Sequence, residues 1–155
     1  MKKLIFIFSL VLLSACKSKT PKYDTSAEKR YVTVEVTTVN VLKKNRAYEL
    51  GKRLLETCNT SRFKAFTTAE ATDKVIQNAT VENISKTCQK MNMRNGKFLN
   101  LKLIDIIHDT QTDEHVFRYD IVYEKKYFKR ELKVTVDRAN KIAAITTKEV
   151  AVKSL

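Results

Sequence analysis

The sequence predicts an α+β protein, with N-terminal helices packed on a curved antiparallel meander sheet behind a cleaved leader and a flexible tether. Two changes of hydrophobic period carry this reading. From about Asn40 to Asn95, apolar residues recur at three- and four-residue steps, the spacing of one helix face. After Gly96 the period falls to two, with turn residues between the apolar runs, which is the pattern of half-buried strands. A third observation is the order itself. Helices followed by a run of strands gather on one sheet face instead of alternating with the strands. A chain of 155 residues accommodates a leader (1–15), a tether (16–30) and a single domain (31–155).

The leader opens with the positive Met1-Lys2-Lys3, and an apolar run from Leu4 to Leu13 follows. A membrane-spanning helix needs about 20 residues, so this run has the length of a signal-peptide core. Ser14 and Ala15 supply the small side chains that a signal peptidase accepts beside the bond between Ala15 and Cys16. Leu13-Ser14-Ala15-Cys16 resembles the lipobox of bacterial lipoproteins. The resemblance implies that the Cys16 thiol receives a diacylglyceryl group, that cleavage makes Cys16 the first residue, and that its new amine is acylated. Two or more such chains, at about 0.8 kcal/mol per buried methylene, hold a protein stably on a bilayer.

Lys17 to Lys29 is polar, contains the only proline and has no apolar period, so it reads as a tether. Fully extended it spans roughly 45 Å. Lys17 stands where aspartate would favour retention at the inner membrane. By analogy with lipoproteins, the expected address is the outer membrane, facing the periplasm.

Tyr31 to Thr37 alternates valine with polar residues and predicts an edge strand. A first helix, capped by Asn40 or Asn45, carries Ala47, Tyr48, Gly51, Leu54, Leu55 and Cys58 on one face. Lys43, Lys44, Lys52 and Arg53 lie outside that stripe, and Asn59-Thr60-Ser61 ends the helix near Phe63 and Phe66. Thr68-Ala69-Glu70-Ala71 opens a short second helix reaching about Gln77. Thr80 caps a third, with Val81, Ile84, Cys88 and Met91 on one face, and Asn95-Gly96 ends it.

Four strands follow. The first, Phe98 to Ile107, shifts its alternation near Leu103-Ile104, which predicts a bulge. The second, Val116 to Tyr123, sets Phe117, Tyr119, Ile121 and Tyr123 on one face. The third shares Phe128, Leu132, Val134 and Val136, and the last begins at Lys141-Ile142. Asp109 to Asp113, Glu124 to Lys126 and Asp137 to Asn140 are turn chemistry.

From Ala47 to Val150 this order resembles the nuclear transport factor 2-like (cystatin-like) superfamily. The resemblance rests on Leu54-Leu55 to Phe63-Lys64-Ala65-Phe66, and on Leu132-Lys133-Val134-Thr135-Val136-Asp137 leading to Lys141-Ile142-Ala143. It implies a cone of curved sheet wrapped around the first helix, as in small bacterial members of unassigned function. The strand ahead of that helix is a departure from the family pattern.

Thirty basic against 17 acidic side chains give a net charge of +13, or +11 once the leader is removed. Such a charge favours lipid headgroups, acidic polysaccharide or nucleic acid. It is spread along the chain without an aromatic-interleaved arginine cluster, which argues against nucleic acid. Two glycines exclude a Gly-rich phosphate cradle. No nucleophile elbow, Walker loop or paired-Cys zinc pattern occurs, so no cofactor is expected.

The most reactive-looking stretch runs from Asp105 to His115 and holds both histidines, His108 and His115, with four acids across a hairpin turn. A zinc site needs three or four convergent ligands. A solvated acidic turn needs none, and that plainer reading is preferred, so no metal is expected. Tyr119, Asp120 and Tyr123, with Tyr127, are pocket candidates only through the superfamily resemblance, whose isomerases and dehydratases set acids and tyrosines inside the cone. Packing is the simpler role for strand tyrosines. With Cys16 acylated, Cys58 and Cys88 are an even pair in an oxidising compartment. A disulfide and two buried thiols are equally good readings of them.

Three functions remain. The preferred one is an envelope lipoprotein, held on the bilayer by Cys16, whose non-catalytic domain binds an envelope protein or a small apolar ligand. The others are a small isomerase- or dehydratase-like enzyme and a basic module for anionic envelope polymer.

Overall fold

A computed structural model describes residues 30–151. The leader, Cys16 and the tether through Lys29 lie outside the described residues. The chain runs β1 (Tyr31–Val34), α1 (Val41–Thr60), α2 (Asp73–Asn78), α3 (Val81–Asn95), β2 (Phe98–Asp109), β3 (Glu114–Tyr123), β4 (Lys129–Val136) and β5 (Ile142–Val150). The strands form one antiparallel sheet in the order β1-β2-β3-β4-β5. α1 lies across β2 to β5 and against α3, while α2 sits on β5. Among the described residues no helix is long and apolar enough to cross a membrane.

Local chemistry sets the helix ends. The Asn40 side chain accepts the Leu42 amide at 2.8 Å, and Ser61 closes α1 in a left-handed conformation, its amide donating to the Thr57 carbonyl. Thr80 Oγ1 accepts the Asn83 amide at 3.2 Å and starts α3. The inward face of α1 buries Ala47, Leu50, Gly51, Leu55 and Cys58. At Gly51 a Cβ atom would stand 2.8 Å from Leu132 Cδ2 and 3.3 Å from Val134 Cγ2, so the missing side chain lets α1 settle onto β4. Ile106, Phe117, Leu132, Val134, Val136 and Ile142 are fully buried beneath the helices. Cys58 and Cys88 are joined in a disulfide, their Cα atoms 4.7 Å apart, which fastens α1 to α3.

β2 carries the irregularity its alternation predicts, between Leu103 and Asp105, and a second one between Phe98 and Asn100. Several details differ from the sequence reading. β1 stops at Val34, because Thr38 turns back to the Glu35 carbonyl. The second helix starts at Asp73 instead of Thr68, since Thr67 to Ala71 is a turn whose Glu70 is engaged by Arg53 and whose Ala71 bridges to Ile142. Val81, the first residue of α3, precedes the buried stripe and is exposed. Arg30, read as tether, belongs to the domain. Its carbonyl accepts the Thr110 amide at 2.9 Å, and its guanidinium grips both oxygens of Asp109.

Two ion pairs fix carboxylates well below their ordinary range. Arg53 holds Glu70 at about 2 against the opposing effect of burial, with help from the Thr67 amide. Arg30 likewise holds Asp109 at about 2, aided by the amides of Gln111 and Thr112. Both groups take up a proton more readily when unfolded, so their stabilisation is complete above their ordinary values of 4.5 and 3.8 and is lost as pH falls towards 2. The urea midpoint is therefore expected to drop between those limits. Glu70→Gln combined with Asp109→Asn should flatten that slope in a urea titration repeated at several pH values.

Candidate functional site

The alternation of β3 decides the fate of the predicted pocket. Phe117, Tyr119, Ile121 and Tyr123 all point under the helices and are buried. Burial, together with Tyr48, raises the Tyr119 phenol far above its ordinary value, and burial pushes Tyr123 up to about 12. Asp120, one residue on from Tyr119, projects from the opposite face of the strand, level with Lys102 and Glu131. The sheet thus separates the acid from the tyrosines. Tyr119 and Tyr123 pack in the core, and among the described residues the buried Tyr123 hydroxyl has no hydrogen-bond partner. Tyr127 is 81 % exposed, in the loop before β4.

An open concavity lies elsewhere. A groove of about 390 Å³ runs between α2, α3 and β5, with Leu54, Val75, Ala79, Ile84 and Ile145 as its apolar lining and Lys74 among its polar residues. Ala143 to Thr147 of β5 form its strand wall.

The second constellation lies at the end of the β2–β3 hairpin. The register places His108 directly opposite His115. Their rings stack with centroids 4.5 Å apart and planes at 21°. Both are partly exposed, and the His115 ring lies 6.5 Å from that of Phe117. His108 Nε2–H donates to Asp113 Oδ1 at 2.9 Å. Lys43, in the first turn of α1, donates from Nζ to His115 Nδ1 at 3.3 Å. One nitrogen from each histidine and a carboxylate oxygen of Asp113 lie within 4.8 Å of one another. Burial, with the charge of Lys43 and His108, holds the His115 imidazole below its ordinary value, and the hydrogen bond from His108 does the same for Asp113.

The turn beneath this cluster is braced. Asp113 adopts a left-handed φ of 58°, which aspartate tolerates better than most residues. Its amide donates to the Asp109 carbonyl at 2.8 Å. The Asp109 carboxylate accepts the Gln111 amide at 3.0 Å while held by Arg30. Lys43 had looked like part of a solvated helix face, and no local signal ties it to a histidine 72 positions away.

Comparison of the chain with protein-family models, curated proteins and solved structures finds no match.

Proposed function

We propose that the chain is a lipid-anchored envelope lipoprotein whose domain is a non-catalytic binding module for a small apolar ligand. The observation that carries the binding role is the groove beside β5, whose volume and mostly apolar lining suit a small molecule. The buried tyrosines, separated from Asp120, argue against the enzymatic alternative. The anchor rests on Leu13-Ser14-Ala15-Cys16 at the end of the apolar leader, with diacylglyceryl on Cys16 and the tether leading to the outer membrane's periplasmic face. Helices followed by an antiparallel meander accord with a nuclear transport factor 2-like origin.

One set of preparations tests both halves. Intact mass of the purified protein should show acyl chains on a chain beginning at Cys16, and Cys16→Ser should remove them. The neutral dye N-phenylnaphthylamine should bind and fluoresce, and Thr87→Trp, at an exposed position lining the groove, should weaken its binding at least tenfold. Cys16→Ser should leave dye binding unchanged. An acyl chain persisting on Cys16→Ser overturns the anchor. Dye binding that is absent, or indifferent to Thr87→Trp, overturns the groove.

A further inference from the structure

We propose that His108, Asp113 and His115 form a site for a borderline divalent metal ion of the zinc, cobalt or nickel kind. The proposal is independent of the groove and of the lipid anchor. The donor set is two imidazoles and one carboxylate, a combination used by zinc and its neighbours, whereas magnesium and calcium prefer all-oxygen surroundings. The three side chains already converge, with their donor atoms within 4.8 Å of one another. Around a tetrahedral ion, ligands about 2.1 Å from the metal stand about 3.4 Å apart, so modest side-chain rotation closes the site.

Several features separate this cluster from a chance gathering of surface histidines. Directly opposed positions on antiparallel strands hold His108 and His115 at a fixed separation. The carboxylate reaches His108 from a turn locked by the Asp109 carboxylate, itself fixed by both nitrogens of the Arg30 fork. A braced turn and a fixed strand pair are the supporting shell that a metal site requires. The remaining coordination positions open to solvent on the side of Asp113, whose side chain is 55 % exposed.

Lys43 gives the proposal its sharpest consequence. Its ammonium donates to His115 Nδ1 and its charge also acts on Asp113. Lys43 is thus a cation that this cluster faces. A dication must displace it, because lysine offers no acceptor to a ring nitrogen that gains a proton and repels the incoming charge. Lys43 is therefore a competitor of the metal, and removing it should tighten binding.

The test is a cobalt(II) titration of the full-length chain in detergent, followed by its visible ligand-field bands and repeated by zinc competition. Cys16→Ser is kept in the background so that no free thiol takes part. One equivalent should bind saturably and raise the melting temperature as free metal increases. His108→Gln, His115→Gln and Asp113→Asn should each weaken binding at least about tenfold. Lys43→Gln should strengthen it several-fold while leaving the far-ultraviolet circular dichroism unchanged. Absence of saturable one-to-one binding in the unsubstituted background overturns the site, whatever the variants do. Binding that survives both histidine substitutions, or that Lys43→Gln weakens, also overturns it.

Discussion

Phe117→Ala is expected to lower the free energy of unfolding by about 3–5 kcal/mol. Phe117 is a fully buried side chain on the middle strand of the sheet, opposite Ile106 on β2 and Val134 on β4, both of which are also fully buried. Truncation there removes apolar burial and leaves a cavity that neighbours on both sides, already closely packed, cannot collapse to fill. Domains of this size are stable by only about 5–15 kcal/mol, so a large share of the total would be lost. Thermal unfolding followed by circular dichroism should show the melting point falling by roughly 10–20 °C. Phe117→Leu, which keeps most of the volume, should cost far less. A loss below about 1 kcal/mol for the alanine variant would contradict the placement of Phe117 at the centre of the core.

Opening the disulfide between Cys58 and Cys88 is the second large effect. The cross-link spans 30 positions, and on the chain-entropy model a loop of that size stabilises by about 3–4 kcal/mol. The bridge ties the last turn of α1 to the middle of α3, where Asn92 also donates to the Cys58 carbonyl at 2.6 Å. Reduction, or Cys58→Ala with Cys88→Ala, should lower the unfolding free energy from urea titration by that amount and move the midpoint down with it. Amide exchange should accelerate in α3 more than in β3, because the bridge supplies a covalent tie only to the helical layer. An unchanged midpoint under reducing conditions would show that the bridge contributes nothing to stability.

The parts of this fold that were legible in the sequence depend on nearest neighbours along the chain. Asn40 and Thr80 cap helices by reaching amides two and three residues ahead. The face shared by Phe117, Tyr119, Ile121 and Tyr123 follows from strand geometry alone, and the shifted alternation at Leu103-Ile104 marks a real irregularity in β2. What was missed depends on long-range docking. Glu70 looked like a helix residue until Arg53, 17 positions earlier, engaged it. Arg30 looked like tether because its partner Asp109 lies 79 positions away.

The same division runs through the candidate sites. His108 facing His115 was legible, because both flank one turn. The arrival of Lys43 depends on where the first turn of α1 meets the sheet, and the aim of Asp113 depends on its left-handed backbone. The grouping of Tyr119 with Asp120 came from a family resemblance, whereas strand alternation itself sends neighbouring residues to opposite faces. The groove needed the placement of α2 and α3 against β5, which no periodicity encodes.

The entry of the chain into the domain has a mechanical meaning. β1 joins the sheet at Arg30 and Tyr31, beside the end of β2, and runs inward to Val34 opposite Ile106. A pull on the preceding chain, directed along the strand, therefore slides β1 lengthwise against β2 instead of peeling it off. The four register pairs and the Arg30–Asp109 bridge bear such a load together. Under such a pull, a strand of only four residues would be loaded in shear ahead of the helices that follow it.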